Sequence, residues 1–115
     1  MIDPKPAKRI VDPDAGRAKV ALQGRCRACG RGGPLNRAHL VPKGQRGDDV
    51  DENIVPLCGS GSTGCHGALT DHRNGWLLVA AALRADLTAD EIAYCIQKKG
   101  EDWLDRTYPR REVLA

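Results

Sequence analysis

The 115-residue sequence contains no phenylalanine, and only two tryptophans and two tyrosines. Large aromatic packing is therefore scarce, and a domain this small needs a further source of stability, such as a bound metal. No run of about 18 apolar residues is present, which excludes a membrane-spanning helix. The chain opens with Met-Ile-Asp-Pro-Lys rather than with a signal peptide. The sequence thus predicts one small cytoplasmic domain that has no membrane partner.

Four of the five cysteines form two close pairs. Two residues separate Cys26 from Cys29, six separate Cys58 from Cys65, and 28 lie between the pairs. Cytoplasmic thiols stay reduced, so such pairs indicate metal binding before disulfides. Four thiolates from two loops match the tetrahedral preference of zinc and leave no position open for water. We therefore expect a structural zinc site, with free thiols or a three-cysteine, one-histidine set as alternatives. Cys95 lies in an apolar helical pattern and is predicted to be a buried thiol.

The predicted order of one helix, two strands and then three helices indicates an α+β fold. We expect an extended arm over residues 1 to 12. A helix should then start at Asp12-Pro13 and end at Gly24. Strands are expected at residues 37–41 and 53–57, joined by a long glycine-rich loop, and a helix at 66–71. A helix is then expected at 77–87. Another follows it, which begins with the capping box of Thr88 and Glu91 and ends at Gly100. The segment from Trp103 to Pro109 is expected to pack back on the core.

Positive charge is concentrated in the first half of the chain. Eleven lysines and arginines lie between Lys5 and Arg46, against two acids, Asp12 and Asp14, although the net charge of the whole chain is only +3. Such an imbalance favours a polyanionic partner, and a merely solvated basic surface is the alternative. The basic residues nearest the cysteine pairs are candidate phosphate contacts: Arg25, Arg27, Arg31, Arg37, Lys43 and Arg46.

A histidine and an asparagine lie between the two cysteine pairs, and a second histidine follows the last cysteine. His39 belongs to a predicted strand, Asn53 begins the next one, and His66 is on the following helix, about 100° around from Cys65. A lone histidine is usually a surface residue or a structural one. Here the three polar side chains lie close together in the sequence within one predicted zinc-binding unit, so a functional interpretation is favoured.

The segments CRACG, AHLVPKG, GDDVDENIVPLCG and GCHG, within residues 26 to 72, resemble the zinc-containing HNH endonucleases of the ββα-metal (His-Me finger) superfamily, especially phage and prophage members. The resemblance implies a single HNH nuclease domain over residues 1 to 115. It places a zinc-clamped ββα core at 26–72. The helix before it and the C-terminal helical extension at 77–115 lie outside the matched segments, and the extension is predicted from composition alone. It also implies hydrolysis of DNA with low sequence specificity in a bacterial or phage-infected cell, with phage packaging or recombination proteins as possible partners.

The same resemblance assigns roles to individual residues. His39 matches the general base that activates water, Asn53 the residue that braces the histidine-bearing loop, and His66 a ligand of a catalytic divalent ion such as Mg²⁺ or Mn²⁺. Many relatives carry a second ligand immediately before the catalytic histidine, where this chain has Ala38. A methyl group cannot coordinate, so the ion must be held by His66 with Asn53, another oxygen, water and the substrate phosphate, or be held weakly. Thr70, Asp71 and His72 are candidate contributors. An inactive zinc-stabilised DNA-binding or adaptor module is the alternative function.

Overall fold

A two-stranded antiparallel sheet lies at the centre of the fold, in a computed structural model that describes residues 8 to 114. Strand β1, Leu35–His39, pairs with β2, Ile54–Cys58, in a register that sets Leu35 opposite Cys58 and His39 opposite Ile54. The five α-helices described are α1, Arg17–Gln23; α2, Gly64–Asp71; α3, Trp76–Asp86; α4, Ala89–Lys99; and α5, Glu101–Thr107. The predicted α+β class is confirmed. No described helix is long and apolar enough to cross a membrane.

The hairpin forms the centre of the packing. Every residue of β2 is buried, because α1 and α2 both contact this strand. A strand covered in this way is expected to be apolar along its whole length, and the Ile-Val-Pro-Leu-Cys segment is. Both predicted strands and the helix after them are confirmed, with ends displaced by up to two residues.

The predicted start of the first helix was wrong. The carboxylate of Asp12 accepts a hydrogen bond from the Asp14 amide at 3.0 Å, and the Asp12 carbonyl accepts one from Ala15 at 3.1 Å. Asp12 therefore stabilises a turn, and the helix begins only at Arg17. Gly16, at φ 78°, separates the two, since a left-handed residue cannot belong to a right-handed helix.

Gly16 is also a point of close approach between α1 and the sheet. A Cβ at this position would lie 2.4 Å from a side-chain carbon of Ile54, so only glycine lets the helix approach β2 this closely. The predicted end of the helix at Gly24 is confirmed, with φ at 62°.

The C-terminal helices pack on the hairpin and on the loop between its strands. The capping box of α4 is confirmed: the Glu91 amide donates to the Thr88 hydroxyl at 3.2 Å, and the Thr88 amide donates to the Glu91 carboxylate at 2.8 Å. Cys95 is buried, as predicted. The segment around Trp103 packs back as expected, and the buried Tyr108 hydroxyl donates to the Leu40 carbonyl at 2.5 Å.

The N-terminal arm lies along the loop that joins β1 to β2. Residues 8 to 12 form no helix or strand, as the prediction of an extended arm requires, whereas residues 1 to 7 of that prediction lie outside the described residues. The Ile10 amide donates to the Asp48 carboxylate at 2.6 Å, and the Asp12 amide donates to Asp49 at 2.9 Å. The arm therefore fixes the conformation of the two aspartates.

Candidate functional site

The four paired cysteines meet at one end of the hairpin. Cys26 and Cys29 lie in the loop after α1, Cys58 ends β2, and Cys65 lies in the first turn of α2. All four sulfurs lie within 4.8 Å of one another, and those of Cys29 and Cys58 are 3.7 Å apart. A regular tetrahedron with zinc–sulfur bonds of about 2.3 Å has sulfur–sulfur edges of about 3.8 Å. The cluster is therefore close enough to bind a metal ion, as the spacing predicted.

Charge within the cysteine cluster favours a bound cation. Burial opposes ionisation of Cys26, but backbone hydrogen bonds from Cys29, Cys58 and Ala28 outweigh it and lower the pKa of this thiol to about 7. In contrast, burial and the neighbouring cysteines raise the pKa of Cys65 far above its ordinary value. The Cys26 thiolate thus forms readily and opposes the ionisation of Cys65. Four thiolates at these distances require a positive ion between them.

A cleft of about 680 Å³ lies between the hairpin and the C-terminal helices. All three histidines and both tryptophans of the chain line it, and so do the basic side chains of Arg37 and Lys43. The described residues that line this cleft include no aspartate or glutamate. The cleft is thus suited to an anionic ligand that also has an apolar part.

His39 ends β1 and is held by a buried carboxylate. Its Nε2 lies 2.8 Å from Oδ1 of Asp49, and its side chain is 14% exposed. Burial opposes the charged form of Asp49, but hydrogen bonds from the Asp12 amide and from His39, together with the charge of Arg9, lower its pKa to about 2. Asp49 is therefore a carboxylate and can only accept, so Nε2 of His39 carries a proton. In the neutral ring, Nδ1 is the proton acceptor.

Asp49 was not among the residues predicted for the site. It lies ten residues after His39 in a glycine-rich loop, and no helical or strand periodicity relates the two positions. The adjacent acids Asp48 and Asp49 were a visible signal, because paired carboxylates in a loop between two candidate site residues are candidates themselves. Only the conformation of the loop and the docked N-terminal arm show which of the two reaches the histidine.

Asn53 connects both ends of the loop between the strands. Its side chain is 0% exposed and makes three hydrogen bonds with backbone groups. Oδ1 accepts from the Val41 amide at 2.8 Å, while Nδ2 donates to the Val41 carbonyl at 3.1 Å and to the Asp48 carbonyl at 2.9 Å. Gly47 makes this closure possible, since a Cβ there would lie 1.7 Å from the Val41 carbonyl oxygen.

His66 projects from α2 into the cleft, while its neighbour Cys65 belongs to the cysteine cluster. Its Nδ1 lies 3.1 Å from the amide oxygen of Asn36, which can only accept. Burial, and to a smaller extent His39, lower the pKa of His66, so the ring is neutral. Nδ1 therefore donates, and the Nε2 lone pair is available for a metal ion.

The three candidate substitutes for the ligand missing at Ala38 differ in position. Thr70 and His72 both line the cleft. His72 reaches it because α2 ends at Asp71 and the His72 backbone is left-handed, with φ at 51°. Asp71 is absent from the described lining and lies 3.2 Å from Arg73. Within residues 8 to 114, the four cysteines are the only group of three or more side chains of the kind that bind metals. A preformed multi-carboxylate site for a second ion is thus not present among the described residues.

The basic residues are less available to a partner than the sequence predicted. Arg27 is 4% exposed and pairs with Glu91 at 2.7 Å and with Asp86, so its assignment as a phosphate contact was wrong. These carboxylates come from the C-terminal half, and they draw the guanidinium into the protein. Arg25 also pairs with Asp86, at 3.1 Å, but remains half exposed.

The other four basic candidates are exposed. The Arg37 guanidinium donates to the carbonyl groups of Pro13 and Ala15 while lining the cleft. The remaining three make no ion pair with the residues that the structure describes: Arg31, Lys43 and Arg46. Lys43 borders the cleft, and Arg31 lies beside the cysteine cluster.

Comparisons with protein-family models, with curated proteins and with solved structures find no match to this chain. The functional inference therefore depends on the residues and on the geometry of the cleft and the cysteine cluster.

Proposed function

We propose that this chain is a metal-dependent endonuclease of the HNH type that hydrolyses phosphodiester bonds in DNA. The observation that supports it most is the cleft itself. His39 and His66 reach it from separate elements, each with one ring nitrogen engaged by a neighbour. The described lining is free of acids and includes Arg37, which suits a phosphodiester anion.

His39 acts as the general base in this proposal. Its Nδ1 accepts a proton from the water that attacks phosphorus, and a histidine is suited to this task because imidazole titrates near neutral pH. Asp49, 2.8 Å from Nε2, keeps the ring in one tautomer and stabilises the imidazolium that forms. Asn53 holds the loop in which Asp49 lies, and thereby keeps both members of the pair in register.

His66 is the proposed ligand of the catalytic divalent ion. Such an ion supplies Lewis-acid stabilisation of the charge that develops on the leaving oxygen. With an imidazole as the protein ligand and no carboxylate in the described lining, the donor set suits ions such as Ni²⁺ or Co²⁺ better than Mg²⁺. The substrate phosphate would complete the ligand set, so we expect the ion to bind weakly until DNA is present.

The cysteine cluster is proposed to hold one structural zinc ion. Four thiolates fill a tetrahedron and leave no position for a reactive water, so this ion would stabilise the fold rather than cut DNA. The exposed basic residues would contact phosphates, which positions a strand without reading its sequence. We therefore expect low sequence specificity. The proposal of phage packaging or recombination proteins as partners depends only on the resemblance to HNH endonucleases.

A plasmid-nicking assay tests the endonuclease proposal. Zinc-loaded protein is incubated with supercoiled DNA and, in turn, Mg²⁺, Mn²⁺, Co²⁺ and Ni²⁺. We expect His39→Ala to reduce the rate by about 10² to 10⁴ with zinc content and DNA affinity nearly unchanged. His66→Ala should be partly rescued by a higher concentration of the divalent ion, whereas His39→Ala should not. Asn74→Ala, at an exposed turn position, is the control.

Two outcomes would contradict this proposal. Full activity in His39→Ala removes the base from the mechanism, and equal metal rescue of both histidine variants contradicts the division of roles. Tight DNA binding without cleavage in any of the four metals supports the alternative, an inactive zinc-stabilised DNA-binding or adaptor module. Ala38 favours that alternative, because it lines the cleft with a methyl group that cannot coordinate an ion.

A further inference from the structure

The wall of the cleft formed by the C-terminal helices differs in chemistry from the wall formed by the hairpin. Helices α3 and α5, and the residue that follows α5, contribute mainly aromatic and apolar side chains to the cleft: Trp76, Leu83, Trp103 and Tyr108. The hairpin and the loop after β1 contribute the cationic residues of the cleft, Arg37 and Lys43, together with His39 and several apolar side chains. The cleft is therefore amphipathic, with a cationic side and an aromatic side.

Both tryptophans are accessible from the cleft. They are half-buried, whereas Leu104 and Tyr108, on and after α5, are buried in the core. The His72 ring stacks on Trp76 with centroids 4.1 Å apart and planes 12° from parallel. One face of Trp76 is therefore already covered by a flat ring, and a nucleobase would stack on this pair or take the place of His72 in it.

A nucleotide has the same two-sided chemistry, because a planar base with a π-face is joined to an anionic phosphate. We propose that the cleft takes one unpaired nucleotide of a DNA strand, with its base against Trp76 and Trp103 and its phosphate beside His39 and His66. The substrate class is then single-stranded or locally unpaired DNA. The phosphate end of this assignment rests on the proposed nuclease function, whereas the base end rests on the tryptophans alone.

The size of the cleft and the energetics of base pairing both favour an unpaired strand. A volume of about 680 Å³ falls within the range of clefts that enclose a small ligand, about 300 to 1,000 Å³. A base in a duplex must be unpaired and unstacked before it can enter such a cleft, while a base in a single strand avoids this cost. Stacking of each base on an aromatic side chain strengthens binding by about 5- to 140-fold.

Intrinsic tryptophan fluorescence reports directly on this cleft, because the chain has two tryptophans and both line it. Zinc-loaded His39→Ala protein, chosen to prevent cleavage, is titrated with single-stranded oligodeoxythymidylate and then with the same strand paired to its complement. We expect saturable quenching by the single strand, and an affinity for the duplex at least tenfold lower. Anisotropy of a labelled strand measures the same affinities without relying on the tryptophans.

Substitutions separate base contacts from phosphate contacts. Trp76→Leu and Trp103→Leu, each in the His39→Ala background, should weaken single-strand binding by about tenfold and leave duplex binding unchanged. Lys43→Gln should weaken both, because a phosphate contact is common to the two forms of DNA. If Trp103→Leu fails to fold, Trp103→Tyr retains an aromatic face and should bind the single strand within about threefold of the parent.

The outcomes distinguish this inference from the nuclease proposal. Equal affinity for single strand and duplex, or unchanged single-strand affinity in folded Trp→Leu variants, overturns the inference. Cleavage of duplex and single strand at equal rates by the unmodified chain also overturns it, although the nuclease proposal then stands. If no DNA is cleaved in any divalent ion but the single-strand preference is found, the nuclease proposal fails and the base-binding cleft is supported.

Discussion

Replacement of Asn53 by alanine should destabilise the protein more than most single substitutions. The change removes three hydrogen bonds and leaves the Val41 amide, the Val41 carbonyl and the Asp48 carbonyl without their partner. A buried polar group that loses its partner costs about 1–3 kcal/mol, so three sum to about 3–9 kcal/mol. Water can enter a relaxed loop, which favours the lower part of that range, about 3–5 kcal/mol. Since whole domains are stable by about 5–15 kcal/mol, this loss is large.

Urea denaturation followed by circular dichroism, with zinc in excess, measures the change. Asn74→Ala removes the same chemical group from an exposed turn and should remain within about 0.5 kcal/mol of the unmodified protein. Asn53→Asp is a second test that preserves shape. Its carboxylate can still accept from the Val41 amide, but it sets an oxygen against two carbonyls where the amide donated, so we expect destabilisation at pH 7 as well.

The same substitution should affect the proposed chemistry. When the loop is no longer fixed, Asp49 loses its position relative to His39, and the nicking rate of Asn53→Ala should approach that of His39→Ala under conditions where the variant is folded. A loss of less than about 1 kcal/mol with unchanged nicking would refute the reasoning, because the three contacts would then contribute neither stability nor position.

The cysteine cluster, the buried ion pairs and the cleft each lead to a further prediction. Cys58→Ser should leave the chain largely unfolded and without zinc, whereas the unmodified protein should contain one zinc per chain by elemental analysis; a cooperative melt that survives chelation contradicts this. Glu91→Gln leaves the buried Arg27 with one partner fewer and should lower the free energy of unfolding by about 3–5 kcal/mol, against about 0.5 kcal/mol for the exposed Asp90→Asn. Burial opposes the charge of Glu91, but its cationic partners hold its pKa at about 2, below the unfolded value of about 4.3. Its stabilisation is therefore complete above about pH 5 and lost as the pH falls towards 2, and thermal melts over that range should show a smaller loss in Glu91→Gln. Ala38→Asp should tighten divalent-ion binding by calorimetry and favour Mg²⁺, while unchanged binding would show that position 38 does not reach the ion.

The cysteine cluster could be predicted from the sequence, because the number of ligands and their spacing are local properties that zinc coordination restricts strongly. The hairpin and the C-terminal helices could be predicted for a similar reason, since the capping box of Thr88 and the glycine at position 100 specify helix ends within a few residues. The start of α1 could not, because Asp12 stabilises a turn with the same hydrogen-bonding groups that it would use to cap a helix.

The environment of each charge could not be predicted from the sequence. Arg27 follows Cys26 directly and was predicted to contact phosphate, but its partners Asp86 and Glu91 are 59 and 64 residues away along the chain. No local pattern relates an arginine in a loop to acids on two later helices. For the same reason, the sequence identified His39 but not the carboxylate of Asp49 that holds it.

The C-terminal helices have a role in the site beyond covering the core. The Tyr94 hydroxyl accepts from the Asp48 amide and donates to the Asp48 carboxylate, both at 2.8 Å, and Lys98 lies 2.9 Å from the same carboxylate. Burial and the adjacent Asp48 raise the pKa of Tyr94, so its hydroxyl remains protonated and keeps both contacts. Asp48 directly precedes Asp49, and Asp49 holds His39. Helix α4 therefore restrains the loop that holds His39, while α3 and α5 form the opposite wall of the cleft. The C-terminal extension thus both restrains this loop and shapes the cleft.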